Sequence, residues 1–405
     1  MRGDPSSSVH ARLPDPDRIA WRHLGQMAGW DAAIVIPARD EERRVRACLD
    51  AAGIAIRAAR GVCVGIVLVV NNSRDATVAA AFDWAAAQYG VPFVLIDCAF
   101  AEAEAGVGVA RRLGMDTACE HLAPHGAILT TDADTLVRED WVIGNLTELR
   151  HADLICGTVL GRADEASALP PAIAAHGSAE WDYLTASIEL VARLDPQPHD
   201  PAPAHHNAAG ASMAVPKHVY EAVGGLPMLT LSEDRAFAKR VEDHDYRIRF
   251  SAAAIVETSC RMTGRTEGGM AGALRARALE HDPFADEWLE ATDTLALRHG
   301  LRGRLRAVWP DGDVMQRILV EEIGILHADL ILSRPPGPYF GAFFATVEQR
   351  SRRLLRDRMR LSDCRRELPK LRKMLARDAP VARPGFAPSP FPDTPTPVGR
   401  DEPAQ

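Results

Sequence analysis

The chain has 405 residues, 47% of them hydrophobic and 25% charged, which are the proportions of a soluble globular protein with room for one large domain and an appendage or for two modest domains. A net charge of −8 argues against general nucleic-acid binding, which needs a basic surface. The seven cysteines form no CxxC pair, no apolar run reaches the roughly 18 to 20 residues of a membrane span, and the N-terminus lacks a secretory apolar segment, so a cytoplasmic protein with buried free thiols is expected.

Residues 1–30, rich in Pro, Ser and charge, are expected to form an N-terminal arm. AAIVIP (32–37) then reads as a buried strand cut off by Pro37, and DEERRVRACLDAAGIAIRAA as a helix with Val45, Leu49 and Ala52 on one face. The rhythm continues with strand VGIVLVV, helix DATVAAAFDWAAAQYG, strand PFVLIDC, helix VARRLGMDTACEHL, strand GAILTT, helix EDWVIGNLTELRH and strand ADLICGTVL. Such alternation predicts an α/β, doubly wound, mostly parallel sheet with helices on both faces and ligands beyond the carboxyl ends of its strands.

Residues 164–206 break the pattern with a long helix and the loop QPHDPAPAHH. They read as an insertion able to supply an acceptor pocket or an interface. A strand ASMAVP, helices KHVYEAVGG and SEDRAFAKRVEDH, and strands YRIRF and AAAIVET follow. Residues 271–378 read as a helical C-terminal region with a basic stretch from Arg350 to Arg377, and residues 379–405 as a Pro-rich disordered tail.

The notable polar residues fall on the expected ligand edge: Arg39, Asp40 and Glu41, then Asn71 and Asn72, then Asp97, then Asp132 and Asp134. Two carboxylates at a strand end suit a hard divalent cation and leave room for substrate phosphates. Asp-x-Asp also occurs at Asp15/Asp17, Asp243/Asp245 and Asp311/Asp313, but those pairs lie in the arm, a turn and a Pro/Gly loop. Local readings compete at several places: acidic residues favour a helix start in PARDEE, and Ser73 and Ser232 are natural helix caps. His199, His205 and His206 match no standard zinc ligand set and fit a loop beside an acceptor site better. Gly106 and Gly108 do not complete a dinucleotide fingerprint.

In order along the chain, Pro37-Ala38-Arg39-Asp40-Glu41, VVNNSRDAT, Ala110-Arg111-Arg112-Leu113-Gly114, Asp132-Ala133-Asp134, Asn207 to Met213, Gly224-Gly225 and Glu233-Asp234 resemble the motifs of the family 2 glycosyltransferases of the GT-A fold. The resemblance implies a GT-A domain over 31–270 and a metal-dependent, inverting transfer of a sugar from a nucleoside-diphosphate sugar to a hydroxyl acceptor, whether small molecule, glycan or lipid-linked. It implies that Pro37, Ala38, Arg39, Glu41, Asn71 and Asp132 bind the nucleotide, with uridine the first expectation for the base, and that Arg111 or Arg112, here assigned as Arg112, lies near the diphosphate. Asp134, with Asp132, would hold Mn²⁺ or Mg²⁺. Asp234, beside Glu233, would be the general base, and Arg261 and Arg265 a cationic flap. A sugar-phosphate nucleotidyltransferase and a non-catalytic nucleotide-sugar-binding protein are the alternatives. The basic C-terminal stretch suits either peripheral contact with anionic lipids or a solvated or dimer-forming helix, and its acids Asp357, Asp363 and Glu367 favour the second.

Overall fold

Strands buried on both faces are apolar at successive positions, and two such strands centre the sheet. β2 (Trp30–Ala38) is buried everywhere except Asp31, and β3 (Val64–Asn71) along its whole length. The computed structural model describes residues 13–88, 90–201, 204–264, 269–325 and 338–377. Its nine strands also include β1 (Arg18–Leu24), β4 (Phe93–Ala99), β5 (Leu122–Thr130), β6 (Thr135–Val137), β7 (Leu154–Gly161), β8 (Met213–Pro216) and β9 (Ile248–Thr258), in the order β1-β4-β3-β2-β5-β8-β7-β9-β6. β4, β3, β2 and β5 run parallel, as do β7 and β9, whereas β8 is antiparallel to both its neighbours and the edge strands β1 and β6 are antiparallel to theirs.

Alternate side chains of each strand feed opposite cores. Ile34, Ile36, Ile66 and Leu68 pack with Val45 and Leu49 of helix Val45–Ala58, Trp84 of helix Thr77–Ala87 and Trp141 of helix Trp141–Glu148. Ala33, Val35, Val67 and Val69 pack with Val109 and Met115 of helix Val107–His121, Val219 of helix Lys217–Ala222 and Phe237 of helix Glu233–Asp243. Gly65 is required by one of these contacts, since a Cβ there would meet the Trp30 ring at 2.4 Å.

The C-terminal helices share cores with the rest of the chain. Tyr183 and Leu190 of helix Pro171–Leu194 pack with Leu289, Leu361 and Leu371, which joins the 164–206 insertion to helix Leu361–Arg377. Helix Phe340–Arg350 lies against the end of helix Glu233–Asp243, where Asp245 accepts hydrogen bonds from the N–H groups of Phe340 and Gly341 at 2.6 and 2.7 Å.

Two local expectations are corrected, and one strand carried no sequence signal. The segment read as an arm contributes β1, whose mixed, largely exposed sequence gives no burial pattern. β6 is too short for a periodicity signal. YRIRF and AAAIVET belong to the single strand β9, which stays continuous through a register shift opposite Gly157/Val159 of β7. The tail from 379 lies outside the described residues. All seven cysteines are free, and among the described residues no helix is long and apolar enough to cross a membrane.

Candidate active site

The turn after β2 is tied to the turn after β3. Asp40 adopts φ 52°, a left-handed conformation that Asp tolerates better than most residues. Its N–H donates to Ser73 Oγ at 2.9 Å, and its carboxylate accepts from Arg74 N–H at 2.8 Å. Glu41 N–H donates to Thr77 Oγ1 at 2.8 Å, and Glu42 N–H to Asp75 Oδ2 at 3.0 Å. Burial pushes the Asp75 carboxyl up, but hydrogen bonds from Thr77 and backbone N–H groups outweigh it and hold the group below its ordinary range. Ser73 therefore braces this junction and caps no helix; Ser232, at φ 58°, makes no capping bond either.

A cleft of about 960 Å³ opens beyond these turns, lined on one side by Pro37, Ala38, Arg39, Glu41 and Asn71. Arg39 is held by Glu102 at 3.2 Å. Asn71 is 2% exposed; its amide donates to Gly106 O at 3.4 Å, and its Oδ1 has no partner among the described residues. Buried polar atoms are almost always satisfied, so an unpaired amide oxygen on a cleft wall is a candidate ligand contact.

Asp132 and Asp134 line the same cleft between β5 and β6. Arg111, 3% exposed, donates to Asp132 Oδ1 at 2.6 Å and lies 3.6 Å from Glu233 Oε1. It fits only because residue 210 is glycine: a Cβ there would stand 1.5 Å from Arg111 Nη1. Gly210 N–H in turn donates to Asp234 Oδ2 at 2.9 Å, and Arg235 N–H to Asp234 Oδ1 at 2.8 Å. Burial raises the Glu233 carboxyl, with Arg111 opposing it. Burial, followed by the charge of Asp132, pushes Asp134 up to about 6, although Arg261 pulls it down. Arg261 donates to both oxygens of Glu41 at 3.0 and 2.6 Å and lies 3.0 Å from Asp134 Oδ2.

The cleft thus gathers Pro37, Ala38, Arg39, Glu41, Asn71, Asp132, Asp134, Glu233, Asp234 and Arg261. It does not gather Arg112. That side chain turns to Asp116 at 2.7 Å and to the carbonyls of Gly224 and Leu226 at 2.8 and 3.0 Å, leaving Arg111 as the inward member of the pair. Arg265 lies outside the described residues.

The remaining lining comes from parts of the chain that carry no motif. Helix Pro171–Leu194 supplies Glu180, Trp181 and Leu184, and residues 270–288 supply Met270, Phe284, Asp286 and Trp288. Glu180 is fixed by Arg277 Nη2 at 2.5 Å and Asp286 N–H at 2.6 Å. His205 and His206 are in the lining as well. His205 Nδ1 accepts from Asn207 N–H at 3.0 Å, and the His206 ring lies 3.9 Å from that of Trp288. Among the described residues no group of three or more His, Cys, Asp or Glu could hold a metal by itself. The only sequence signal for an inner face on this helix is the three- to four-residue recurrence of Gly177, Glu180, Tyr183, Ser187 and Leu190.

Paired carboxylates on the strand-end edge of a doubly wound sheet, with a buried arginine between them and a further carboxylate pair, form a charged cleft where sheets of this kind bind their ligands. Residues 30–277, more than half of the chain, match the family model described as Glycosyltransferase like family 2, and the chain belongs to that family of glycosyltransferases. No curated protein matches it. Among solved structures it is similar to the mannosyltransferase PcManGT from Pyrobaculum calidifontis in complex with GDP-Man and Mn²⁺, at 14% identity over 82% of this chain and 89% of that one, with a TM-score of 0.41. It is also similar to S. aureus TarS 1-349 in complex with UDP-GlcNAc (12% identity, 85% and 87%, TM-score 0.42). A third is glucosyl-3-phosphoglycerate synthase from Mycobacterium tuberculosis with Mg²⁺ and UDP (13% identity, 62% and 79%, TM-score 0.34).

Proposed function

We propose that this glycosyltransferase moves a sugar from a nucleoside-diphosphate sugar to a hydroxyl acceptor with inversion, and that it does so with Mn²⁺ or Mg²⁺. The observation that carries the reading is the presence of Asp132, Asp134 and Asp234 in one cleft, with Arg111 bridging Asp132 and Glu233.

The residues fit a divalent cation. Asp132 and Asp134 offer only oxygen donors, as hard cations require. The upward push on Asp134 marks a carboxyl crowded by burial and by the charges of Asp132 and Glu41, which a cation relieves. Two protein ligands are enough where donor phosphates and water complete the shell. When bound, the cation supplies positive charge to the departing diphosphate.

The protein's own groups account for the rest. Pro37, Ala38 and Glu41 contact the nucleoside, and the free Oδ1 of Asn71 accepts from the base. Arg111 holds Asp132 in place and keeps Glu233 charged near the reacting centre, so Glu233 is a positioning residue. Asp234 takes the proton of the acceptor hydroxyl. Its two oxygens are each steered by one backbone N–H, which fixes the carboxylate and still leaves each oxygen a lone pair. Arg261 moves from Asp134 toward the diphosphate as the donor binds. Glu180, Trp181 and Trp288 form the acceptor wall.

The test is a thermal-shift titration of wild type and Asp134→Ala with UDP and GDP, each with and without Mn²⁺. A ligand at about 100 times its Kd stabilises the folded state by about 2.7 kcal/mol. The metal-dependent part of that shift is expected in wild type and absent in the variant. An equal metal-dependent shift in both proteins refutes the assignment, and absence of donor hydrolysis by wild type favours the non-catalytic alternative.

A further inference from the structure

We propose that the C-terminal cationic face docks the protein on an anionic lipid bilayer. Between Arg350 and Arg377 the chain carries twelve Lys and Arg against three Asp and Glu, a net +9 in a protein whose total is −8, so the remainder sums to −17. Helix Leu361–Arg377 sorts this charge by face. Leu361, Cys364 and Leu371 are buried, with Leu368 and Leu375 packed beside them. At 3.6 residues per turn, Arg365, Arg366, Lys370, Arg372, Lys373 and Arg377 fall within about 160° on the opposite side, and all six are exposed.

Acids neutralise that face only in part: Asp363 pairs with Arg366, Glu367 and Asp293 with Lys370, and Asp182 with Arg372. Glu367 turns inward to accept from Thr292 N–H at 3.1 Å, and Asp363 is tied to Arg360 N–H at 2.8 Å and Arg366 at 2.7 Å. Among the described residues Arg352, Arg365, Lys373 and Arg377 have neither an ion pair nor a side-chain hydrogen bond, so four cations stand free for an external anion.

The chemistry of the surface selects a bilayer over a nucleic acid. The segment contains no aromatic residue on which bases could stack. It does present Leu355, 60% exposed and flanked by Arg352, Arg353 and Arg356, an apolar side chain set among cations as interfacial segments have. The same segment reaches the cleft. Arg358 lines it, its guanidinium 4.1 Å from the Phe284 ring centroid, so docking places the cleft rim at the lipid surface.

The inference does not rest on the transfer reaction, and its test needs no turnover. The full chain is co-sedimented with vesicles of phosphatidylcholine alone and of phosphatidylcholine mixed with phosphatidylglycerol, at low and physiological salt. Binding only to the mixed vesicles, and weakening with salt, is expected. Each cation near an anionic surface is worth about fivefold in partitioning, so the variant Arg352→Glu/Arg365→Glu/Lys373→Glu/Arg377→Glu should bind at least about 100-fold more weakly. Its far-UV spectrum and melting temperature should match wild type, which separates lost docking from lost fold. Absence of binding to the mixed vesicles, equal binding to pure phosphatidylcholine, or an unaffected folded variant overturns the proposal. Tighter binding to a DNA duplex than to the vesicles overturns it in favour of a nucleic-acid partner.

Discussion

Replacing Arg111 by methionine keeps much of the side-chain volume and removes its charge. In the wild-type protein the guanidinium faces Asp132 at 2.6 Å and Glu233 at 3.6 Å. Breaking a buried ion pair by deleting one partner costs about 3–5 kcal/mol, because the other charge is left buried. Asp132 is 35% exposed and is screened by water, so the loss falls mainly on Glu233, which is 5% exposed. With no direct hydrogen bond at 3.6 Å, the lower end applies, about 3 kcal/mol. The loss depends on pH. Without the guanidinium, Glu233 rises further above the ordinary glutamate value of 4.5. Between 4.5 and that raised value the folded variant holds a proton that the unfolded chain has released. The variant therefore recovers stability relative to wild type as the pH falls toward 4.5. Thermal denaturation of both proteins without ligand, across neutral to mildly acidic pH, measures the gap. A gap that stays constant, or that widens on acidification, refutes the assignment of Arg111 as counter-charge to Glu233.

Gly210→Ala places a methyl 1.5 Å from Arg111 Nη1, and overpacking of this kind costs about 1–3 kcal/mol; a melting temperature equal to wild type would show that Arg111 has room to move. Asp234→Asn keeps the shape of the side chain and removes the proposed base, so transfer should fall about 10²- to 10⁴-fold with nucleotide-induced stabilisation intact, as read from product release and thermal shift in parallel. His205 is 8% exposed, and burial pushes its ring down to about 4 from 6.5. The unfolded chain gains this proton first, so stability is full above 6.5 and is lost as the pH falls toward 4, by up to about 3 kcal/mol at 1.36 kcal/mol per unit. Denaturation of wild type and His205→Gln across that range should show wild type losing up to about 3 kcal/mol relative to the variant on acidification, whatever the gap between them at neutral pH.

The sheet was legible where burial repeats from residue to residue. VGIVLVVN admits only a strand covered on both faces, and the chain bears that out in β3. RIAWRHL, in β1, is exposed on both faces, so no periodicity marks it; its place depends on pairing with β4, from Arg18 with Ala99 to Leu24 with Phe93, far along the chain. The carboxylates of the cleft were legible because strand ends collect them. The choice between Arg111 and Arg112 was not: adjacent residues on a helix point about 100° apart, and which one turns inward depends on Gly210 and on the carbonyls of residues 224–226. The wall containing Glu180 and Trp288 was illegible for a related reason, since its members come from separate helices and loops and acquire a common face only when packed.

Arg261 ties the two ends of the cleft to a single event. One guanidinium holds Glu41 on one side and Asp134 on the other. Whatever draws it from one carboxylate alters the electrostatic surroundings of both. Occupancy at Asp134 and occupancy beside Glu41 therefore share a coupling free energy, and such coupling is reciprocal: the factor by which an ion changes nucleotide affinity is the factor by which nucleotide changes ion affinity. If the proposed ion and nucleotide sites hold, a thermodynamic square should show the two ligands as one cooperative unit with Arg261 as the shared element, and Arg261→Ala should bring the two binding constants closer to independence.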